Sequence, residues 1–317
     1  MSRVRVLFLG TPKFAVTSLQ RLIDDEHFEV VAVISQPDRP AGRKMQLKPS
    51  PVKELAIALG LPVFTPETVN TEEFRTKILE LRAESAAVVA FGQILGQKFL
   101  DLFPKGCVNV HGSLLPRWRG AAPIQRAVMA GDTETGVALQ VVVRKLDAGP
   151  VLGIRRLDLN DSMNSAELHD ALKNLGADLL HVEYMDYLRG NLFPISQDES
   201  LVTIAPKIDK AEARIDWRLS AREIHNRIRG LQMGPYAFSS LDGKDVKIHR
   251  SMIISETGVS GEPGAIISHG AAPAAGFHVA CGSGVLDLLE VQPESKSRMP
   301  ASGFALGYLQ SSSKRFQ

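Results

Sequence analysis

Across 317 residues the chain carries two cysteines, Cys107 and Cys281. They lie far apart and outside any metal-ligand spacing, which excludes a disulfide framework and points to a reducing compartment. No H-E-x-x-H pattern or His/Cys cluster offers a metal site. The turn after the first apolar run holds a single glycine, Gly10. A G-x-G-x-x-G fingerprint is therefore missing, as is a phosphate-cradling Walker loop, and both set nicotinamide dehydrogenases and P-loop enzymes aside. No G-x-S-x-G elbow marks a serine nucleophile. No apolar run approaches the roughly 20 residues that span a bilayer. The apolar amino-terminal stretch Val4–Leu9 ends at once in Gly10-Thr11-Pro12-Lys13, too short for a signal-peptide core, so the protein is expected to be cytoplasmic. Internal repeats and low-complexity segments are also lacking. The net charge of +2 neither demands nor excludes a nucleic acid; its distribution, −1 up to residue 206 and +3 from 207 onward, is compatible with phosphate contact in the second half.

What is present describes an ordinary globular chain, 44% hydrophobic and 23% charged, long enough for two domains with cores of their own. Val4–Leu9 reads as a buried strand, Phe14–Ile23 as a helix and Glu29–Ile34 as a second strand. That order predicts an α/β domain with a doubly wound, mostly parallel, Rossmann-like sheet. Helices over 52–59 and 71–81 and a buried strand over 86–90 continue it. The run Cys107–His111 alternates like a short strand, Ala121–Met129 reads as a helix with Pro123 in its first turn, and Val137–Val143 as a strand. Asn164–Leu188 is a long amphipathic helix with Leu168, Leu172, Leu175, Leu179 and Val182 on one side. Periodicity then fades through Pro194, Gln197, Asp198 and Pro206, which reads as a linker. After a short helix over 221–229, β-like runs at 238–241, 246–250, 264–268, 277–280 and 285–291 predict a smaller OB-like β-barrel.

Two stretches carry chemistry. The loop Gln36–Pro51 is long for a strand-to-helix connection and is rich in proline and cations. Its Arg39, Arg43, Lys44 and Lys48 are placed to grip a polyanion. The second stretch is Asn109-Val110-His111-Gly112, where side chains two apart share a strand face, so an amide and an imidazole emerge together at a strand's carboxyl end. In open α/β sheets ligands bind at that end. An imidazole moves protons near neutral pH and an amide donates to a developing oxyanion. A site with both and no nucleophile of its own suits direct transfer of an activated acyl group to an external amine. A carboxylate would complete it by orienting the imidazole; Asp147 is the candidate, and spacing alone does not separate it from Asp132 or Asp161.

The run Asn109-Val110-His111-Gly112-Ser113-Leu114-Leu115-Pro116, followed by Arg117-Trp118-Arg119-Gly120-Ala121-Ala122-Pro123-Ile124, closely resembles the signature of the folate-dependent formyltransferases. The Gln36–Pro51 loop and Ala213-Arg214-Ile215-Asp216-Trp217 narrow the resemblance to the branch that acts on methionyl-tRNA. The resemblance runs over most of the chain. It implies a catalytic set of Asn109, His111 and Asp147, and 10-formyltetrahydrofolate as formyl donor in a pocket lined by Ser113, Leu114, Leu115 and Pro116. It implies no metal. The acceptor would be the α-amine of methionine on initiator tRNA, its acceptor stem met by Arg43 and the neighbouring Arg39, Lys44 and Lys48. Residues 1–189 would form the catalytic domain, 190–206 the linker and 207–317 the tRNA-binding domain. Two departures stand out. Met233-Gly234-Pro235 replaces the family's frequent Pro-Trp-Pro, and Ala148-Gly149-Pro150 follows Asp147. Trp118 and Trp217 are expected to be structural. The competing readings are a relative that formylates a small amine, such as glycinamide ribonucleotide or a nucleotide sugar, and a non-catalytic RNA-binding protein that retains the fold.

Overall fold

The computed structural model describes residues 3–41, 46–258, 261–269, 276–309 and 315–317. Two compact units share the chain, and their division in space is not a single cut in sequence. The first holds residues 1–120, 134–157 and 169–205; the second holds 121–133, 158–168 and 206–317.

The first unit is built on a seven-stranded sheet. In chain order its strands are β1 (Val4–Gly10), β2 (Phe28–Ile34), β3 (Val63–Phe64), β4 (Ser85–Val89), β5 (Cys107–His111), β6 (Glu134–Val141) and β7 (Val151–Asp158). They lie side by side as β7-β6-β5-β4-β1-β2-β3. The pairs β1·β2, β1·β4, β2·β3 and β4·β5 are parallel, while β6 runs antiparallel to β5. The doubly wound, mostly parallel sheet is thus as the sequence implied. Helices α1 (Lys13–Asp24), α2 (Pro51–Ala58), α3 (Glu72–Leu79) and the short α4 (Gln97–Leu100) connect the strands up to β5. Ser50 starts α2 by accepting a hydrogen bond from the Lys53 amide at 3.1 Å, and Pro51 occupies the first turn, where its missing N–H costs nothing.

Leu7, Leu9, Ile34, Val88 and Cys107 face Phe91, Phe99 and Phe103 in one buried cluster. On the other side, Gly176 of α6 (Ser165–Leu188) lets the helix close onto β5: a Cβ there would stand 2.7 Å from Val110 Cγ1. The buried stripe of α6 runs through Leu172, Leu179, Leu180 and Tyr184, and Val182 is 52% exposed. The expectation of Val182 on that stripe fails because the 3.6-residue period carries the apolar face past it to Tyr184, whose ring stacks on Phe28. The loop after β2 is also more ordered than a simple connection: Arg39–Ala41 pairs antiparallel with Gln46–Lys48.

The second unit centres on an antiparallel sheet of β8 (Phe238–Leu241), β9 (Lys244–Ser255), β10 (Ile266–His269), β11 (Phe277–Ala280), β12 (Val285–Pro293) and β13 (Met299–Pro300). The strand order is β8-β9-β12-β11-β10, with β13 against β12. Register shifts between β9 and β12 at Ile248/Arg250, Arg250/Ser251 and Ile253/Ser255 bend the sheet into a curled half-barrel. Trp217, Phe277, Phe304 and Phe316 fill its core with Ile224 and Ile228 of α7 (Ala221–Gly230). The Trp217 indole donates to Ser239 Oγ at 2.9 Å and stacks on Phe316, a structural use of the ring. The helix α8 (Ala301–Tyr308), for which the sequence showed no clear period, contributes Phe304. Helix α5 (Pro123–Ala130) belongs to this unit and packs on α7, with Arg126 clamped bidentately on Glu212 at 2.6 and 2.9 Å.

Candidate functional site

β5 ends at the carboxyl edge of the parallel strands, and its alternation puts Cys107, Asn109 and His111 on one face. Cys107 is buried, and burial pushes its thiol far above the ordinary value, so it stays protonated and unreactive. Asn109 is half-buried, and its carboxamide makes no hydrogen bond to any described residue. It stands across from Gln140 of β6 in the antiparallel register.

His111 is buried, with its two nitrogens in different surroundings. Nε2 lies 2.8 Å from the Trp118 carbonyl. A carbonyl only accepts, so Nε2 carries a hydrogen and donates it. Nδ1 lies 3.7 Å from Asp147 Oδ1, an ion-pair distance rather than a hydrogen bond. An imidazolium here would have an acceptor facing each N–H, and only the Nδ1 edge is left open to exchange protons.

Asp147 sits in the loop between β6 and β7 with φ +49°, a conformation that short polar side chains tolerate best. Its carboxylate accepts from the Gly120 amide at 2.9 Å through Oδ2 and from Gln140 Nε2 at 3.0 Å through Oδ1. Asp132 and Asp161 lie in the second unit, where Asp161 pairs with Arg222 and is held below the usual carboxylate range first by that contact. Of the three aspartates that spacing left open, Asp147 is the one with a described ion-pair contact to His111. Trp118 likewise has φ +63°, and Ala90, after β4, has φ +47°. Among the described residues Arg82, Asp242 and Ser295 share this conformation elsewhere in the chain.

Of the four residues implied to line a folate pocket, Ser113 is fully buried and its hydroxyl donates to the Arg117 carbonyl at 2.6 Å, closing the turn. Leu114 lies against β6, its Cδ2 2.6 Å from where a Gly136 Cβ would be. Leu115 is buried, Pro116 is half-buried, and the peptide between them is cis. Of the four cations, Arg43 and Lys44 lie outside the described residues. Arg39 is exposed and paired with Glu67 at 3.0 Å; Lys48 is exposed and forms no ion pair with a described residue. Among the described residues no group of His, Cys, Asp and Glu could hold a metal ion, and no helix is long and apolar enough to cross a membrane.

Sequence reasoning missed three groups that frame the set. Gln140 had a signal, a lone amide in the apolar run Val137–Val143. Arg119 is 3% exposed, and its guanidinium donates to Gln197 Oε1 and to Glu199. Glu199 also takes Lys145, and these donors, Arg119 first, hold its carboxyl down to about 2. Thr203 accepts from the Trp118 amide at 2.9 Å.

An amide, an imidazole and a carboxylate thus gather at the edge of a Rossmann-like sheet, an arrangement suited to group transfer. The formyl transferase model matches residues 2–183, and the model of the formyl transferase C-terminal domain matches residues 207–309. The chain belongs to the formyltransferase family. More particularly, it is 56% identical over 311 residues to the methionyl-tRNA formyltransferase of Bdellovibrio bacteriovorus, covering 97% of each chain. It is 46% identical over 306 residues to that of Methylococcus capsulatus, covering 95% of this chain and 96% of the relative. Two solved structures share the fold. One is an N-formyltransferase from Helicobacter canadensis in complex with folinic acid and dTDP-3-aminofucose (TM-score 0.66, 17% identity, 92% of this chain and 99% of that one). The other is HypX from Aquifex aeolicus in complex with tetrahydrofolic acid (TM-score 0.64, 16% identity, all of this chain and 51% of that one).

Proposed function

We infer that this chain transfers the formyl group of 10-formyltetrahydrofolate to the α-amine of methionine on initiator tRNA. The observation that carries the chemistry is the Asn109 carboxamide, without a hydrogen-bond partner among the described residues, beside an imidazole whose Nε2–H is already committed to the Trp118 carbonyl. The substrates are supported by the near-full-length likeness to proteins named methionyl-tRNA formyltransferase. The folate donor supplies an activated formyl carbon. The α-amine attacks that carbon, a new C–N bond forms, and the bond to the folate nitrogen breaks.

Asn109 donates to the formyl oxygen as it gains negative charge, and His111 in its charged form stabilises the same oxygen. Asp147 opposes the charge on His111 across 3.7 Å. One proton leaves the amine and one arrives at the departing folate nitrogen; if His111 carries it, the route uses Nδ1, because Nε2 is occupied. Ser113–Pro116 form the folate-side wall. Arg39, Arg43, Lys44 and Lys48 meet the acceptor stem, and residues 207–317 hold the tRNA further along. The reading carries with it a cytoplasmic site of action alongside translation.

The test is formylation with initiator methionyl-tRNA, elongator methionyl-tRNA and small amines in parallel. Rapid turnover of charged initiator tRNA alone is expected. Transfer confined to a small amine would overturn the substrate assignment.

A further inference from the structure

The segment after α6 reads in sequence as a connection, yet it makes a dense set of contacts in the first unit around Asp147. The Gln197 carboxamide is used at both ends. Its Nε2 donates to the Asp147 carbonyl at 2.9 Å and the Gly149 carbonyl at 2.7 Å, with Gln140 Oε1 at 3.4 Å. Its Oε1 accepts from Arg119 Nε at 3.0 Å and Nη2 at 2.9 Å. Arginine only donates and carbonyls only accept, so the amide has one permitted orientation: oxygen toward Arg119, nitrogen toward the loop.

We propose that Gln197 is a positioning residue for Asp147, fixing the shape of the 142–150 loop through its main-chain carbonyls while Arg119 fixes Gln197. The proposal rests on the formyl-transfer reading above. Asp147 adopts a left-handed backbone, a conformation that is uncommon outside glycine and that neighbouring contacts help to hold. Its carbonyl is the group that Gln197 holds. The loop has no room to settle inward, since a Cβ on Gly149 would stand 1.7 Å from the Val141 carbonyl oxygen. The loop is tied a second time by Glu199, which bonds Lys145 and Arg119 together.

The other partner of His111 traces to the same segment. The Trp118 carbonyl that receives His111 belongs to a residue whose amide donates to Thr203 Oγ1, and the next amide, of Arg119, donates to the Thr203 carbonyl at 2.9 Å. Residues 197–203 therefore frame both sides of the imidazole, and Gln197 is the member that acts on the carboxylate side.

Two substitutions separate this role from general support. Gln197→Met keeps the volume and removes every hydrogen bond. Gln197→Glu keeps an acceptor for Arg119 but cannot donate to the two loop carbonyls. With wild-type enzyme that formylates methionyl-tRNA, both variants are expected to lose about 10- to 100-fold in kcat, the scale of a displacement of about 1 Å at a reacting site. KM for each substrate should stay within about threefold and Tm within about 3 °C. A Gln197→Glu enzyme with more than half the wild-type kcat would overturn the proposal, because the loop donors would then be dispensable. So would loss of the fold in both variants, which would assign the contact to stability; if Gln197→Met alone fails to fold, Gln197→Glu decides. Failure of the wild type to formylate methionyl-tRNA would instead refute the functional reading.

Discussion

Replacing Asp147 by Asn tests the charge at the centre of the site, because it removes one negative charge and almost no volume. The carboxylate now accepts from two N–H groups, those of Gly120 and Gln140, and faces His111 Nδ1 at 3.7 Å. An Asn in its place has one acceptor oxygen. If that oxygen keeps the Gly120 amide, its NH2 group meets the Gln140 donor and any hydrogen on His111 Nδ1. Gln140 cannot relieve this by turning over, since Gln197 Nε2 lies 3.4 Å from its oxygen. The electrostatic part can be bounded. Opposite unit charges 3.7 Å apart attract by about 4 kcal/mol at an effective dielectric near 20 and about 1 kcal/mol in water. Both side chains are largely buried, with 7% and 10% of their surface exposed, so the upper figure governs. Since about 1.4 kcal/mol is tenfold in rate, Asp147→Asn should lower kcat by about 100- to 1000-fold. The assay is formylation of methionyl-tRNA at saturating folate donor, with thermal melting as the control for folding. A kcat within about fivefold of wild type, with an unchanged melt, would refute the view that the Asp147 charge supports His111.

Asn109→Ala should cut turnover about 100- to 1000-fold, as loss of an oxyanion donor typically does, yet leave Tm close to wild type, because the carboxamide has no described partner to lose; single-turnover rates and a melt read both. Arg43→Ala should raise KM for tRNA while sparing folate binding, and the tRNA affinity of the wild type should fall as salt rises, because phosphate contacts release counterions; equal loss of both substrates would argue for misfolding. His225 is buried with Nε2 donating to the Asp161 carbonyl and Nδ1 accepting from Ser251, so burial lowers its pKa below the usual 6.5. The unfolded chain then binds the proton more tightly, so stability is fully present above about pH 6.5 and declines as pH falls below it. Urea melts of wild type and His225→Gln between pH 5 and 8 should show the slope flattened in the variant; equal slopes would exclude His225 as its source.

The fold was legible where the hydrophobic period was strong. β1, β5, β8, β11 and the long α6 follow directly from alternation, a continuous apolar run or a sustained 3.6-residue stripe. The first-unit sheet follows from their order. Less legible were elements whose stability comes from elsewhere. The pairing of Arg39–Ala41 with Gln46–Lys48 has no apolar face to announce it, and α8 is apolar nearly all round. α5 groups with the second unit by packing on α7 and through Arg126, which reaches Glu212, 86 residues later. No local pattern encodes a contact at that separation.

The site shows the same division. The placement of Asn109 and His111 on a common face was legible because one strand carries both. Asp147 was visible only as one of three aspartates. The contacts that set it apart come from far along the chain, the Gly120 amide 27 residues earlier and the Gln197 amide 50 residues later. Those supporting groups are ordinary polar residues in stretches without periodicity, and Gln197 lies where the chain looks most like a connector. Their shared feature is physical: each supplies donors to an oxygen that would otherwise be buried short of partners. An unpaired buried donor or acceptor costs about 1 to 3 kcal/mol, so a loop that turns a carboxylate inward must recruit amides from wherever the fold brings them. Here the recruited amides come from the backbone at Gly120 and from two glutamines, Gln140 and Gln197. A glutamine presents an oxygen at one edge and two hydrogens at the other, so Gln197 can bridge a donor-only arginine to acceptor-only carbonyls. Asp147, the aspartate proposed for catalysis, is thus held by residues for which no chemical step is proposed.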